Sequence, residues 1–240
     1  MSKQIIRLLQ LYPKDMNIYG DNGNMLVLQR RLEWYGYDVT CLEYNPGDTF
    51  PSDVDIIVGG GGQDSGQDKI VNDLQSIAPT LKTLAESGTP MLLVCGLYQL
   101  FGRFFKTRSG EVLKGIGILD VETYGESERL IGNIVVDSKQ FGDIVGYENH
   151  SGQTFLGEHA APLGIVRLGA GNNTADIYEG ARYKNVIGTY LHGSVLPKNP
   201  ELADFFIHKA VTKKYYSTSD DLIDDHFAEL ARKAALKRPR

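Results

Sequence analysis

The chain has 240 residues, a net charge of −5 and 42% hydrophobic residues, enough for one large domain with its own core. The acidic balance excludes a general nucleic-acid surface. Two cysteines without repeated Cys/His spacing predict neither a disulfide scaffold nor a metal site. The start lacks a signal-peptide pattern, and the longest uncharged stretch, residues 87–102, is too short and too broken to cross a bilayer, so we expect a cytoplasmic protein.

Short β-branched runs alternate with amphipathic stretches through the first hundred residues. The runs predict strands at Ile5–Leu11, Asp38–Glu43, Val54–Val58 and Met91–Val94. The stretches between them predict helices at Asn24–Tyr35, Ser65–Glu86, with a possible break at Pro79, and Leu97–Phe105. This alternation is typical of an α/β fold whose mostly parallel sheet carries helices on both faces. Ligands of such sheets bind beyond the carboxyl ends of the strands.

The second half contains more strand than helix. The predicted strands are Ile118–Glu122, Asn133–Val136, Thr154–Leu156, Gly164–Leu168 and Val186–Leu191. Two helices, from Pro200 to Lys213 and from Asp220 to Leu236, close the chain. No linker or repeat divides it, so we expect a single domain over residues 1–240, with residues 200–240 as C-terminal helices.

Cys95 stands where the strand ending at Val94 meets the next helix, and Gly96 lets the backbone turn sharply there. A helix N-terminus favours a thiolate at this position, which indicates a nucleophile rather than a buried structural cysteine. The glycine run Gly59–Gly62 and the segment Tyr12–Asn24 also follow predicted strands. All three should therefore line one edge of the sheet.

A cysteine nucleophile needs a base, and His192 is the best candidate because it follows the Val186–Leu191 strand directly. His150 is the second choice, since it lies in a polar, glycine-broken segment. His159 is predicted in a loop, and His208 and His226 on the closing helices, where a histidine without a special role is the simpler interpretation.

Three motifs in order resemble the class I glutamine amidotransferases of the cobyric-acid-synthase type, which have a flavodoxin-like fold. They are Cys95-Gly-x-x-Gln-Leu-x-Gly102, Gly146-Tyr-Glu-x-His-x-Gly-x-Thr154 and Gly188-Thr-Tyr-Leu-His-Gly193. The length of the chain and the segment Tyr19–Asn24 are similar to the glutaminase subunits of lipid II isoglutaminyl synthases.

The resemblance implies that Cys95 attacks the side-chain amide of glutamine and that His192 transfers the proton. The oxyanion donors implied are the backbone N–H of Gly96 and one from the glycine run, for which we take Gly60 and Gly61. Without the neighbouring elbow, four consecutive glycines could equally form a flexible loop.

Two further side chains are candidates for substrate binding. Arg129 lies between nucleophile and base in the sequence, as the carboxylate-binding arginine does in similar chains, although an exposed strand-end arginine is the simpler interpretation of the sequence alone. Gln99 lies one helical turn after Cys95, where its amide either reaches the bound glutamine or stabilises helix packing.

Many class I amidotransferases carry an acid two residues after the histidine, but this chain has Ser194 there. His192 could be oriented instead by a backbone carbonyl, by a remote acid such as Glu148, or by a group from a partner protein. His150 could also lie close to the catalytic residues without taking part in the chemistry. We expect the partner to supply this group, so that the chain alone hydrolyses glutamine poorly.

The sequence contains no Gly-x-x-x-x-Gly-Lys-[Ser/Thr] loop, so we expect no cofactor on this chain and ATP and Mg²⁺ on a partner. The resemblance implies a heterodimer with a Mur-ligase-like, MurT-like synthetase. That synthetase amidates the D-glutamate of lipid II to D-isoglutamine in peptidoglycan synthesis, near the inner face of the membrane.

The same residues are compatible with other functions. The acceptor could be another carboxylate, such as a corrinoid precursor. A stand-alone γ-glutamyl hydrolase or a DJ-1-type cysteine hydrolase also places a cysteine on such an elbow. A non-catalytic module that keeps the fold is a further alternative, against which the presence of Cys95 and His192 speaks.

Overall fold

The computed structural model describes residues 4–62, 64–216 and 223–240. Its strands in chain order are β1 Ile5–Leu11, β2 Asp38–Tyr44, β3 Ile56–Gly59, β4 Met91–Val94, β5 Phe104–Lys106, β6 Val112–Lys114, β7 Val121–Ser138, β8 Gly142–Leu156, β9 Gly164–Leu168, β10 Tyr178–Glu179, β11 Ala181–Tyr183 and β12 Val186–Thr189. The α-helices are α1 Asn22–Trp34, α2 Asp64–Glu86, α3 Gly96–Leu100, α4 Pro200–Tyr215 and α5 His226–Leu236, and 3₁₀ turns occupy Ile18–Gly20 and Leu196–Lys198.

The first sheet has six strands in the order β11-β12-β4-β3-β1-β2. All of its pairings are parallel except the one between β11 and β12. Every residue of β3, β4 and β12 is buried, as expected for parallel strands covered on both faces. The carboxyl ends of β1, β3, β4 and β12 therefore lie side by side, which confirms the edge predicted from the sequence.

The six strands between residues 104 and 179, β5 to β10, form a second sheet. Its order is β10-β9-β7-β5-β6, with β8 paired along β7, and only β5 and β7 run parallel. The long hairpin of β7 and β8 is irregular between Gly125 and Leu130. It touches the first sheet at the end of β12, where Tyr147 and His192 form an isolated antiparallel bridge.

The predicted elements agree with the structure in place and differ in length. The helix expected over Leu97–Phe105 ends at Leu100, because the chain turns into β5 to join the second sheet. Helix α2 continues through Pro79 without a break. The short strands predicted at residues 118–122 and 133–136 are parts of the single strand β7.

The closing helices also differ from their predicted bounds. Helix α4 extends to Tyr215, and α5 begins only at His226. Residues 220–222 of the predicted second helix lie outside the described residues. Among the helices in the described part of the chain, none has the length and apolar character to cross a membrane.

Candidate active site

Cys95 lies at the turn between β4 and α3 with a backbone conformation that few side chains adopt. Its φ of 49° and ψ of −103° put a non-glycine residue in a strained region. The turn is fixed from both sides, because the Cys95 N–H donates to the Thr189 carbonyl at 2.9 Å and the Gln99 N–H donates to the Cys95 carbonyl at 3.0 Å. A strained, anchored cysteine at a strand end is the geometry of a nucleophile elbow.

His192 follows β12, the strand beside β4, and its ring is fully buried. Its backbone pairs with Tyr147, with the His192 N–H donating to the Tyr147 carbonyl at 2.8 Å. The side chains of His192 and Cys95 both lie against Gly61, and Cys95 is close enough to raise the pKa of the His192 imidazole. The structure thus brings together the nucleophile and the base predicted from the sequence.

The charge on this pair is set by competing effects. Burial by itself lowers the pKa of His192, but the sulfur of Cys95 and the carboxylate of Asp21 outweigh burial and raise it above its ordinary value. A protonated imidazole next to the sulfur stabilises a thiolate, which is the nucleophilic form of cysteine. The structure therefore favours a protonated imidazole beside Cys95.

Asp21, which the sequence analysis did not single out, supplies a carboxylate to His192. Its Oδ1 lies 3.3 Å from Nδ1 of His192, and both side chains are 1% exposed. Asp21 directly precedes α1 but makes no side-chain cap hydrogen bond to that helix. From the sequence we expect a partner protein to supply this group, but the structure places an acid of the same chain, just before α1, beside His192.

Gly61 lies against Cys95 and His192, but its N–H group is not available to a substrate oxyanion. A Cβ atom at Gly61 would lie 2.7 Å from Cε1 of His192 and 3.0 Å from Cβ of Cys95, so only glycine fits. Its N–H donates to Oδ2 of Asp21 at 2.8 Å, and a Cβ at Gly60 would meet the Met16 carbonyl. The Gly61 amide is therefore already used by Asp21, whereas the contact at Gly60 only excludes a side chain there.

The N–H of Gly62 is better placed for the oxyanion. It lies 3.1 Å from the position that a Cβ of Gly96 would occupy, next to the elbow. The Gly62 amide thus lies close to Gly96, the residue that follows Cys95, and these two amides are the candidates for oxyanion donors. The glycine run indicated the loop, but only the folded chain shows which of its amides is already used by Asp21.

Gln99 belongs to a buried network beneath the elbow. Its Oε1 accepts from Nε2 of Gln67 at 2.8 Å, and its Nε2 donates to the Tyr190 hydroxyl at 3.0 Å. The Tyr190 hydroxyl also lies 2.6 Å from Oγ1 of Thr154. Of the two sequence interpretations, the structure supports helix packing, since both polar ends of this amide already have protein partners.

Arg129 is exposed on the irregular part of β7. Its Nε donates to Oδ1 of Asn149 on β8 at 2.6 Å, which directs the guanidinium across the hairpin. Arg129 is also close enough to His150, two residues after Glu148, to lower the pKa of that histidine. The planar guanidinium of Arg129 is chemically suited to bind a carboxylate through two parallel hydrogen bonds.

Glu148 does not face His192. Its carboxylate accepts from the Ala170 N–H at 2.9 Å and the Gly171 N–H at 2.8 Å, and its Oε1 lies 3.0 Å from a guanidinium nitrogen of Arg240. Burial raises the pKa of Glu148, whereas these N–H groups and Arg240 oppose that shift. Glu148 joins β8 to the loop after β9, and the carboxylate that faces His192 is that of Asp21.

His150 is buried and unsuited to act as a base. Burial is the largest effect on its pKa, which falls to about 3 in spite of a hydrogen bond at 2.7 Å between its Nδ1 and the Gly152 carbonyl. Its ring stacks on Tyr190. A neutral imidazole packed in this way has a structural role, and His192 is the histidine that lies beside Cys95.

The sequence matches known families over most of its length. Residues 7–200 match the model of the CobB/CobQ-like glutamine amidotransferase domain. The chain is 41% identical over 223 residues to the lipid II isoglutaminyl synthase (glutamine-hydrolyzing) subunit GatD of Staphylococcus aureus, covering 92% of this chain and 90% of that protein. The subunit of the same name from Streptococcus pneumoniae is 35% identical, with 93% and 89% covered.

More distant similarities agree with the fold. A probable cobyric acid synthase of Methanothermobacter thermautotrophicus is 31% identical over 66% of this chain but only 34% of its own length. A crystal structure of a glutamine amidotransferase superposes with a TM-score of 0.58 at 16% identity, over 84% of this chain and 98% of that one. The PurLQS structure from Thermotoga maritima gives 0.59 at 14% identity, over 86% and 98%. At these identities the two structures show the fold alone.

Proposed function

The chain belongs to the CobB/CobQ-like glutamine amidotransferase family, and we propose that it is the glutaminase subunit of a lipid II isoglutaminyl synthase that works through Cys95 and His192. The observation that carries the proposal is the placement of Cys95, at a strained elbow, and the buried ring of His192 against the same glycine, Gly61. Its similarity to the GatD subunits spans more than nine-tenths of the chain. A corrinoid acceptor has less support, because the cobyric acid synthases match over a smaller share.

The proposed reaction begins with attack of the Cys95 thiolate on the side-chain amide carbon of glutamine. A C–S bond forms, and the amide oxygen becomes an oxyanion that accepts hydrogen bonds from the N–H groups of Gly62 and Gly96. The C–N bond then breaks, and the proton held by His192 moves to the leaving nitrogen, which departs as ammonia. The product on the enzyme is a γ-glutamyl thioester.

Water completes the cycle. His192 takes a proton from the water that attacks the thioester carbon, the C–S bond breaks, and glutamate leaves. The proton returns to the pair of Cys95 and His192, so the enzyme is unchanged. Arg129 is proposed to bind the α-carboxylate of glutamine during both steps, because a guanidinium binds a carboxylate through two parallel hydrogen bonds.

Ammonia is a nucleophile only while it is unprotonated, so the product should pass directly to a second subunit. We propose that this subunit is a Mur-ligase-like, MurT-like synthetase in a heterodimer with the chain. It would bind ATP and Mg²⁺ and activate the α-carboxyl of the D-glutamate in lipid II. The complex would then work at the inner face of the membrane, where its lipid-linked substrate lies.

The nucleophile can be tested with a diazoketone analogue of glutamine. We expect one covalent adduct, located on Cys95 by peptide mass spectrometry, and protection from labelling by excess L-glutamine. Cys41→Ser is the matched control, because Cys41 is exposed on β2 and should not affect the adduct. Absence of an adduct on Cys95 in the complex with the synthetase would contradict the proposal.

A further inference from the structure

The carboxylate of Asp21 joins two parts of the active site. One oxygen faces Nδ1 of His192 at 3.3 Å, and the other accepts from the Gly61 N–H at 2.8 Å. The 3.3 Å separation is long for a hydrogen bond, but catalytic contacts often tighten only when substrate binds. The base and the glycine loop beside the nucleophile are thus held by one side chain that is 1% exposed.

The segment that carries Asp21 is fixed to the segment that carries His192 at two more points. The Ser194 hydroxyl donates to the Gly20 carbonyl at 2.7 Å, and the Leu196 N–H donates to Oδ1 of Asn24 at 3.0 Å. A side chain at Gly23 would collide with Ser194. Residues 192, 194 and 196 therefore each contact the segment from Gly20 to Asn24, where α1 begins.

We infer that Asp21 is the positioning residue of His192 and that Ser194 holds the loop from which Asp21 reaches it. In many class I amidotransferases the acid stands two residues after the histidine, and in this chain that position binds the Asp21 loop instead of carrying the acid. The inference rests on the proposed glutaminase function. It adds to the Cys–His pair a third group that comes from the same chain. A fixed carboxylate selects the ring orientation and tautomer that leave Nε2 directed at the thiol.

Among the described residues, three titratable groups face His192 from the elements packed around it. Asp21 approaches from the start of α1, Cys95 from the elbow, and His150 from β8. Cys95 and Asp21 both stabilise the imidazolium, whereas His150 is neutral over the ordinary pH range. Removal of the negative charge of Asp21 should therefore make His192 a weaker base and move formation of the thiolate to higher pH.

The test combines glutamine turnover by the complex with alkylation of the full chain. In a Cys41→Ser background, Cys95 is the only cysteine, and its reaction with iodoacetamide is measured from pH 5 to pH 10. For Asp21→Asn we expect kcat to fall about 10²-fold with KM within about threefold, and the alkylation profile to move up by about one pH unit. Asp55→Asn is the matched control, since Asp55 is a largely buried carboxylate at the opposite, amino end of β3.

Ser194→Ala provides a second variant that leaves the buried carboxylate in place. We expect a fall in kcat of about fivefold, as for loss of one hydrogen bond, and a profile shift in the same direction. Unchanged turnover, or reduced turnover with an unchanged alkylation profile, would overturn the inference for either variant. Failure of the unmodified complex to hydrolyse glutamine would instead contradict the proposed function, so the two failures are distinguishable.

Discussion

The rings of His150 and Tyr190 are stacked, with centroids 3.6 Å apart and planes within 7°. His150 comes from the second sheet, and Tyr190 directly follows β12 of the first. Because the Tyr190 hydroxyl also binds Gln99 beneath the elbow, this stack joins the second sheet to the segment that carries the nucleophile. The second sheet is therefore part of the support of the active site.

Substitution of His150 should affect stability more than chemistry. We expect His150→Phe to retain kcat within about tenfold, whereas His192→Ala should lose about 10³-fold or more, since only His192 transfers protons. His150→Ala should lower the free energy of unfolding by about 2–4 kcal/mol, because it leaves a cavity under Tyr190. Steady-state kinetics and urea unfolding measure both, and equal losses of kcat in the two histidine variants would contradict the assignment.

Loss of Arg129, or of the contact between Arg129 and Asn149, should raise the KM for glutamine. We expect Arg129→Ala to raise KM for glutamine at least about 10-fold with little change in kcat, because a hydrogen-bonded charge contact is lost. Asn149→Ala should raise KM by a smaller factor, and the double variant should resemble Arg129→Ala alone, since the asparagine acts through the arginine. A fall in kcat at constant KM in the Arg129 variant would show that it does not bind the substrate.

Gly61 should tolerate no side chain. In Gly61→Ala, the new Cβ would meet His192 and Cys95 at 2.7 and 3.0 Å, so we expect kcat to fall about 10²-fold while the chain stays folded. Gly110→Ala serves as a control, because a Cβ there enters open space and carries only the cost of its positive φ. Full activity in Gly61→Ala would mean that the site is wider than the structure shows.

Glu179 should make stability depend on pH. Burial raises the pKa of this carboxyl to about 8, against the stabilising hydrogen bonds from Thr189 and Tyr190. Because the folded chain holds this proton more tightly than the unfolded chain, the stabilising contribution of Glu179 is fully present below the unfolded pKa near 4.5. This contribution is lost as the pH rises toward 8.

Between pH 4.5 and pH 8, titration of Glu179 can lower the free energy of unfolding by about 1.4 kcal/mol for each pH unit. Thermal unfolding of the wild-type chain should therefore show a lower Tm at pH 8 than at pH 5. In Glu179→Gln this difference should shrink, because the titrating group is absent. The same pH dependence in both chains would contradict the assignment of the titration to Glu179.

The sequence was sufficient to predict the features that arise locally. The strand ending at Val94, the elbow at Cys95 and the strand before His192 are recognisable from apolar runs and from the glycines after them. Because parallel strands bring their carboxyl ends to one edge, the meeting of Cys95 and His192 followed from topology alone.

The features that were missed depend on contacts between distant parts of the chain. Asp21 precedes a helix, where an aspartate is usually a cap, and nothing local shows that it turns toward a histidine 171 residues later. In the same way, the choice between the amides of Gly61 and Gly62 depends on which one Asp21 already uses. The position of Asp21 after β1, at the edge where ligands bind, was the one available signal.

The most direct test of the central claim follows nitrogen from glutamine into lipid II. The chain, co-expressed with a Mur-ligase-like synthetase, is given lipid II, ATP, Mg²⁺ and glutamine labelled with ¹⁵N in its side-chain amide. We predict that mass spectrometry finds ¹⁵N in the amidated D-glutamate, that Cys95→Ser abolishes this transfer, and that ammonium salts restore amidation in that variant. Amidation from glutamine that persists in Cys95→Ser, or no ¹⁵N in lipid II from the unmodified complex, would contradict the account.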